Sequence, residues 1–235
     1  MSDLPDQPKK SAGDVAHTIV KAAVSAAPVV GGPAAELLGL IFGPPLERRR
    51  EAWLNLLAEA VKEDQSKAAE LTPEKLSQDA GFISTGLRAT EIAIRTHEQE
   101  KLEAPRNAVV NSVLPNSPED TIEQIFLNYV DALTPWHLKL LAYFDDPTTW
   151  ANSHGMTFPN PNWYSGSPAQ ALETAMPGLA GRRAFYDVII SGLEQRGLLG
   201  GGGIHGMVTA VGMLAQRTTP LGRQFLSFIS KHPLE

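Results

Sequence analysis

Leu193-Glu194-Gln195-Arg196-Gly197-Leu198-Leu199, the run Gly200-Gly201-Gly202-Gly203, and Arg217-Thr218-Thr219-Pro220-Leu221-Gly222-Arg223-Gln224-Phe225-Leu226 spell out a helix end, a loop and a helix start. Gly197 stands where a helix beginning near Arg182 has to close, a position that glycine fills in the left-handed conformation without steric cost. The four glycines follow a helix rather than a strand and lack the Lys-Ser/Thr of a phosphate loop, so they read as a flexible loop tip. Val208–Leu214 has some strand character, with Val208, Val211 and Leu214 apolar. Thr218-Thr219-Pro220 opens a last helix through Ile229, with Leu221, Phe225, Phe228 and Ile229 on its apolar side.

Upstream, Arg182–Arg196 predicts a helix with Phe185, Val188, Ile189 and Leu193 inward. Ser167-Pro168 starts a short helix to about Ala175. Thr148–Ser167, rich in Asn, Pro, Ser and Gly, reads as a long ordered loop. Its aromatics Trp150, Phe158, Trp163 and Tyr164 are candidates for an interface, against the plainer role of pinning the loop to the domain. Thr134-Pro135 starts a helix over Trp136–Phe144 that Asp145-Asp146-Pro147 ends. The order over Thr134–Lys231 is similar to a winged-helix domain with an extra terminal helix. That likeness implies that Leu193–Leu199 closes a recognition-type helix and that Ile204–Arg217 forms a β-hairpin wing.

In the first half, Asp14 caps a helix over Val15–Ala27, and Pro33 starts a second to Phe42. The apolar stretch Ala22–Leu46 has Glu36 as its only charge. It approaches the roughly 20 residues of a membrane span, but Pro28, Gly31, Gly32 and Pro33 interrupt it, so it reads as a helical hairpin. Val29, Val30, Leu37, Leu38, Leu40, Ile41 and Phe42 then serve either as buried core, the reading that length favours, or as a surface for a membrane or a partner. A helix follows over Leu46–Glu63. A long helical stretch runs from Thr72-Pro73-Glu74 to about Leu114, with Ile83, Leu87, Thr90, Ile94 and Lys101 along one face. Pro105 should kink or end it near Ala104. Ser117-Pro118-Glu119-Asp120 starts the clearest amphipathic helix, with Ile122, Ile125, Phe126, Tyr129, Val130 and Leu133 on its stripe. The fold expected is mainly α: a tail over 1–13, a helical N-terminal domain over 14–133 with the apolar hairpin, and a winged-helix-like domain over 134–235 with a small β-hairpin.

The chain has 235 residues, 43% of them apolar, 20 Lys+Arg and 26 Asp+Glu, for a net charge of −6. Such a composition is that of a globular chain, not a disordered one. Residues 1–133 hold 13 cations and 20 acids, and residues 134–235 hold seven and six. The acidity therefore belongs to the first half. Arg182, Arg183, Gln195 and Arg196 are the candidate residues for nucleic acid or a partner, but Asp187 and Glu194 share their helix. A phosphate-tracking surface needs a larger excess of cations, so protein contact is favoured over DNA. Cysteine is absent, which excludes disulfides, thiolate metal sites and a cysteine nucleophile. His97 with Glu98, Glu100 and Glu103 lacks di-iron spacing, because position 94 is Ile94, and no Gly-x-Ser-x-Gly elbow occurs. No catalytic, cofactor-binding or metal-binding residue is assigned. The polar start Met1–Lys10 does not read as a secretory signal, so the compartment expected is the cytoplasm.

The small-residue hairpin, the charged helix Leu46–Glu63, Glu100-Lys101-Leu102 with Asn107-Ala108-Val109, Leu133-Thr134-Pro135-Trp136-His137-Leu138-Lys139-Leu140-Leu141, and Thr219-Pro220-Leu221-Gly222-Arg223 form a remote pattern. It resembles the abortive-infection alpha type of bacterial helical protein, which implies a role in bacterial stress or phage defence. The function expected is a non-enzymatic interaction or switch protein. Its partner is a protein or a second copy, and contact at the C-terminal domain would free the N-terminal hairpin for a membrane surface or another protein. A winged-helix DNA-binding regulator and an oligomeric scaffold are the alternatives.

Overall fold

A computed structural model describes residues 44–65, 72–96, 98–158 and 164–231. The expected hairpin residues Val29, Val30, Leu37, Leu38, Leu40, Ile41 and Phe42 lie outside these, as do His97 and Trp163. The chain forms two compact units, residues 1–51 and 52–235. Of the first, only Pro44–Glu51 is described, as helix. Helix α1 (Pro44–Gln65) carries the chain from the first unit into the second.

The described residues are mainly helical, with one two-stranded antiparallel sheet. After α1 come α2 (Pro73–Leu76), α3 (Ala80–Arg95), α4 (Gln99–Asn111) and α5 (Asp120–Ala132). The long helix expected from Thr72 to Leu114 is three helices. Asp79 ends the first piece by capping α3, its carboxylate accepting the Phe82 N–H at 2.8 Å. Thr96–Glu98 breaks the second. Pro105 does not end a helix; it sits buried inside α4. The missing N–H costs one helical bond. Packing of α4 on both α3 and the last helix holds the segment helical in spite of it.

The buried side of α3 is Thr85, Ala89, Ile92 and Ala93. Ile83 and Leu87, on the face picked out by their spacing, are 44% and 66% exposed. Small residues on the buried side let α4 approach closely and leave room for the Trp53 ring of α1. Trp53, Ala89, Ala93 and Val109 form one cluster, and the Trp53 indole N–H donates to Thr90 Oγ1 at 2.9 Å. On the other flank of α3 the Thr85 hydroxyl donates to buried Glu123 of α5. Burial raises the carboxyl pKa of Glu123.

The second half runs α6 (Pro135–Asp145), α7 (Pro147–Ser153), β1 (Ser165–Gly166), α8 (Pro168–Ala175), a 3₁₀ turn at Pro177–Leu179, α9 (Arg183–Gln195), β2 (Val208–Thr209), α10 (Ala210–Met213) and α11 (Pro220–Ile229). The loop expected from Thr148 begins as helix α7. Asp146, read as a stop signal, is also its N-cap, accepting the Thr149 N–H at 2.9 Å, and Pro147 takes the first position. Gly197 closes α9 at φ +70°. The Leu198 N–H reaches Leu193 O at 3.0 Å and the Gly197 N–H reaches Glu194 O at 2.9 Å, the two bonds of a Schellman motif.

The chain leaves the glycine run and returns alongside itself through an antiparallel bridge between Leu199 and Thr218. Within Ile204–Arg217 there is no hairpin of adjacent strands. Val208–Thr209 pairs instead with the distant Ser165–Gly166, and residues 210–213 turn helical under a Thr209 cap. A Cβ at Gly166 would meet the ends of the Gln170 and Met213 side chains, at 2.5 and 2.9 Å.

One apolar cluster runs from Ile92 to Ile229 and draws on both sides of Leu133–Thr134. Phe126 of α5 lies 5.2 Å from Phe225 and 5.7 Å from Phe228 of α11, ring centre to ring centre. Two buried asparagines of α4 fasten the end of α11. Asn107 Nδ2 donates to Ile229 O, and Asn111 Nδ2 donates to Ser227, Phe228 and Ser230 carbonyls. These are the carbonyls that a helix end leaves without partners.

Candidate binding cleft

The start of α6 is built from Thr134-Pro135-Trp136-His137. Thr134 is the N-cap, Pro135 the first helical residue, and His137 the third, where a capping box usually has Glu or Gln. The Thr134 N–H donates to His137 Nδ1 at 3.2 Å. With Nδ1 accepting, the neutral ring carries its proton on Nε2. Burial lowers the His137 pKa, helped by the nearby Arg196 and Lys101 charges. The imidazole is therefore neutral at pH 7. It fits against α9 because residue 192 is glycine; a Cβ there would lie 3.1 Å from Nε2.

The unfolded chain binds a proton at His137 near pH 6.5, whereas the folded chain resists it. The contribution to stability is complete above pH 6.5 and is lost as the pH falls through the lowered folded value. His137→Gln keeps an acceptor for the Thr134 N–H and removes the titration. The thermal midpoint of the wild-type chain should then drop between about pH 7 and about pH 5 by up to about 2 °C more than that of the variant, because the ring is half-exposed. Equal drops would show that His137 is not the titrating group.

Trp136 meets Phe185 of α9 edge to face, with ring centres 5.6 Å apart at 89°. Both rings carry cations on their faces. Lys139 Nζ lies 5.2 Å from the Trp136 centre, and the Arg182 guanidinium lies 4.2 Å from the Phe185 centre. Beside this pair opens a cleft of about 730 Å³, lined by Glu98, Gln99 and Glu100 at the start of α4, Thr134–His137, and Phe185, Val188 and Ile189 of α9. Val188, expected inward, is 71% exposed on this wall. Tyr186, Ile189, Ile190 and Leu193 fill the buried side of α9 and leave Val188 to the cleft.

The candidate cations of α9 are engaged locally. Arg183 Nε is 3.3 Å from Asp187 Oδ2, whose other oxygen is 2.7 Å from His205 Nε2. Arg196 Nη1 donates to Gly192 O, and Gln195 Nε2 donates to Ser191 Oγ. Arg182 lies over Phe185 on the cleft wall, and Arg196 lies near His137, another lining residue. The aromatic candidates divide differently. Trp150 stacks on His154 at 3.8 Å and meets Tyr143 edge-on, Phe158 is buried, and Tyr164 is 87% exposed.

No sequence pattern marks the cleft, because its three strips are separated by more than thirty residues each. The one local signal is the histidine in the third position after Thr134-Pro135. Among the described residues, no group of three or more His, Asp or Glu gathers to hold a metal ion, and no helix is long and apolar enough to cross a membrane. No protein-family model, curated protein or solved structure matches the chain.

Proposed function

We propose that the chain is a non-enzymatic interaction protein that takes its partner at the cleft between the starts of α4 and α6 and the side of α9. The observation that carries this reading is the apolar wall of Trp136, Phe185, Val188 and Ile189, with Val188 left 71% exposed on it. An aromatic pair carrying Arg182 on its face is the makeup of a protein-binding hot spot, and exposed Val188 extends its apolar wall. A pocket for a small molecule would enclose most of its ligand's surface, and this wall is open.

The order α6, β1, α8, α9 and the returning bridge Leu199–Thr218 supports a winged-helix-like reading of residues 134–235. The exposed side of α9 includes Val188 and Glu194, with Asp187 half-exposed, and Arg183 is tied to Asp187. That surface suits protein better than phosphate, which favours the interaction module over the DNA-binding regulator. The resemblance to abortive-infection alpha proteins supplies the proposed setting, a bacterial stress or phage-defence response. The apolar hairpin over 22–46 would supply the response at a membrane or second protein, a role that its composition supports.

The test is selection of short random peptides on the full-length protein, followed by affinity measurement on Val188→Asp. Val188 is exposed, so the substitution leaves the core intact. Selected peptides should share an apolar anchor and bind the variant at least about tenfold more weakly, as expected for loss of a hot-spot contact. Peptides that bind the variant and the wild type equally would overturn the cleft as the partner site, and salt-sensitive binding of duplex DNA at low ionic strength would favour the regulator.

A further inference from the structure

We infer that the corner built by β1, β2 and the first turn of α10 is a docking surface for a second copy of this chain, the two copies meeting there face to face. The surface is separate from the cleft, and the inference does not depend on what the cleft takes.

Two runs of the sequence hold no Asp, Glu, Lys or Arg, residues 147–172 and 197–216, in a chain of which 20% is charged. The fold brings these runs together. Ser165 pairs with Thr209 and Gly166 with Val208, and the Ala210 N–H donates to Tyr164 O at 3.1 Å, which sets Tyr164 beside Val211. Tyr164, Val211 and Met207, the residue before β2, are 87%, 83% and 77% exposed. No other large apolar side chain among the described residues is exposed to that extent. Ser165 and Thr209, opposite each other in the sheet, are exposed between them. Tyrosine and methionine in solvent, with charge kept away, is the composition that marks the centre of a protein interface.

The charges that border the two runs are engaged locally. Asp187 contacts Arg183 and His205, and Asp145 accepts from Gln216 and Thr218. Arg217 Nη1 donates to Gly203 O, and Glu173 accepts the Tyr186 hydroxyl.

Neutrality is what points to a second copy. Across a two-fold axis a surface meets itself, so any charge near the axis faces its own like. Each chain carries a net charge of −6, and an uncharged corner lets two copies close without bringing that charge into contact. A lipid surface fits less well. The Ser165 and Thr209 hydroxyls and the outer edges of a two-stranded sheet are polar groups that hydrocarbon leaves unsatisfied and a protein face can pair.

Sedimentation velocity of the full-length chain tests the inference. The wild type should show a monomer–dimer equilibrium with a Kd of roughly micromolar order, little changed by added salt. Met207→Asp/Val211→Asp leaves the core intact, because both residues are exposed, and should weaken the dimer by at least about 30-fold. Val188→Asp, on the cleft, should leave it unchanged. A wild type that stays monomeric, or a dimer that the double Asp variant does not weaken, overturns the inference. A dimer lost only in Val188→Asp overturns it too and places self-association at the cleft. A monomer that sediments with phosphatidylcholine vesicles, and that the double Asp variant releases from them, makes the corner a lipid-docking surface instead.

Discussion

Gly222→Ala should destabilise the protein by at least about 3 kcal/mol, although alanine is the better helix former by about 1 kcal/mol. A Cβ at Gly222 would stand 2.1 Å from Leu198 O and 3.0 Å from Leu198 C, both backbone atoms. Neither side can yield cheaply. Leu198 O also accepts the Thr219 N–H at 3.1 Å, and the Thr219 hydroxyl donates to Gly197 O at 2.6 Å while capping Gly222 N–H. Relief would therefore pull α11 from the closing turn of α9. For a chain of this size the thermal midpoint should fall by roughly 6–12 °C. Gly86, inside α3 with open space around its would-be Cβ, is the internal control. There the same substitution should raise the midpoint, by roughly 2–4 °C for about 1 kcal/mol. Circular-dichroism melting of both variants checks the pair; a Gly222→Ala protein as stable as the wild type would refute the close approach of α11 to Leu198.

The same contact explains why Thr218-Thr219-Pro220-Leu221-Gly222 is readable in sequence. Thr218 pairs in the bridge, Thr219 caps the helix, Pro220 takes its first position, and Gly222 lets the backbone pass. Signals of this kind, including Ser167-Pro168 and Gly197, act within a few residues and are visible in one dimension. Burial is not. Ile83 and Leu87 repeat at helical spacing as well as Ala89 and Ala93 do, and the choice of buried face belongs to Trp53 and Val109, which are distant in sequence. Val188 fits the apolar pattern of α9, yet it faces a cleft whose other wall is some ninety residues earlier. The strand at Val208–Thr209 pairs with Ser165–Gly166 across α8 and α9, which no hairpin rule anticipates. Pro105 shows the converse, a strong local stop overruled by packing.

Asn107 and Asn111 escape a reading of the sequence for that reason too, and the second carries the other large effect. Asn111→Asp should cost about 3–5 kcal/mol, more than Asn111→Ala, because it replaces a donor with a buried charge. In the native chain the amide nitrogen faces Phe228 O at 2.8 Å, Ser230 O at 2.9 Å and Ser227 O at 3.2 Å, so two N–H groups serve three carbonyls. Aspartate of the same shape brings carboxylate oxygens against carbonyl oxygens with little access to water. Alanine loses the bonds but leaves room for a water to take them up. The aspartate variant has a signature that simple loss of packing lacks. Its carboxyl is disfavoured as an anion in the folded state, so the folded chain holds a proton that the unfolded chain releases. Its deficit should therefore shrink as the pH is lowered from about 7 toward about 5, since a protonated acid can donate to one carbonyl. Asn111→Ala should show no such recovery. Chemical denaturation of the two variants at both pH values measures this difference directly. An aspartate variant whose deficit is the same at both would mean that the end of α11 is not held by the Asn111 amide.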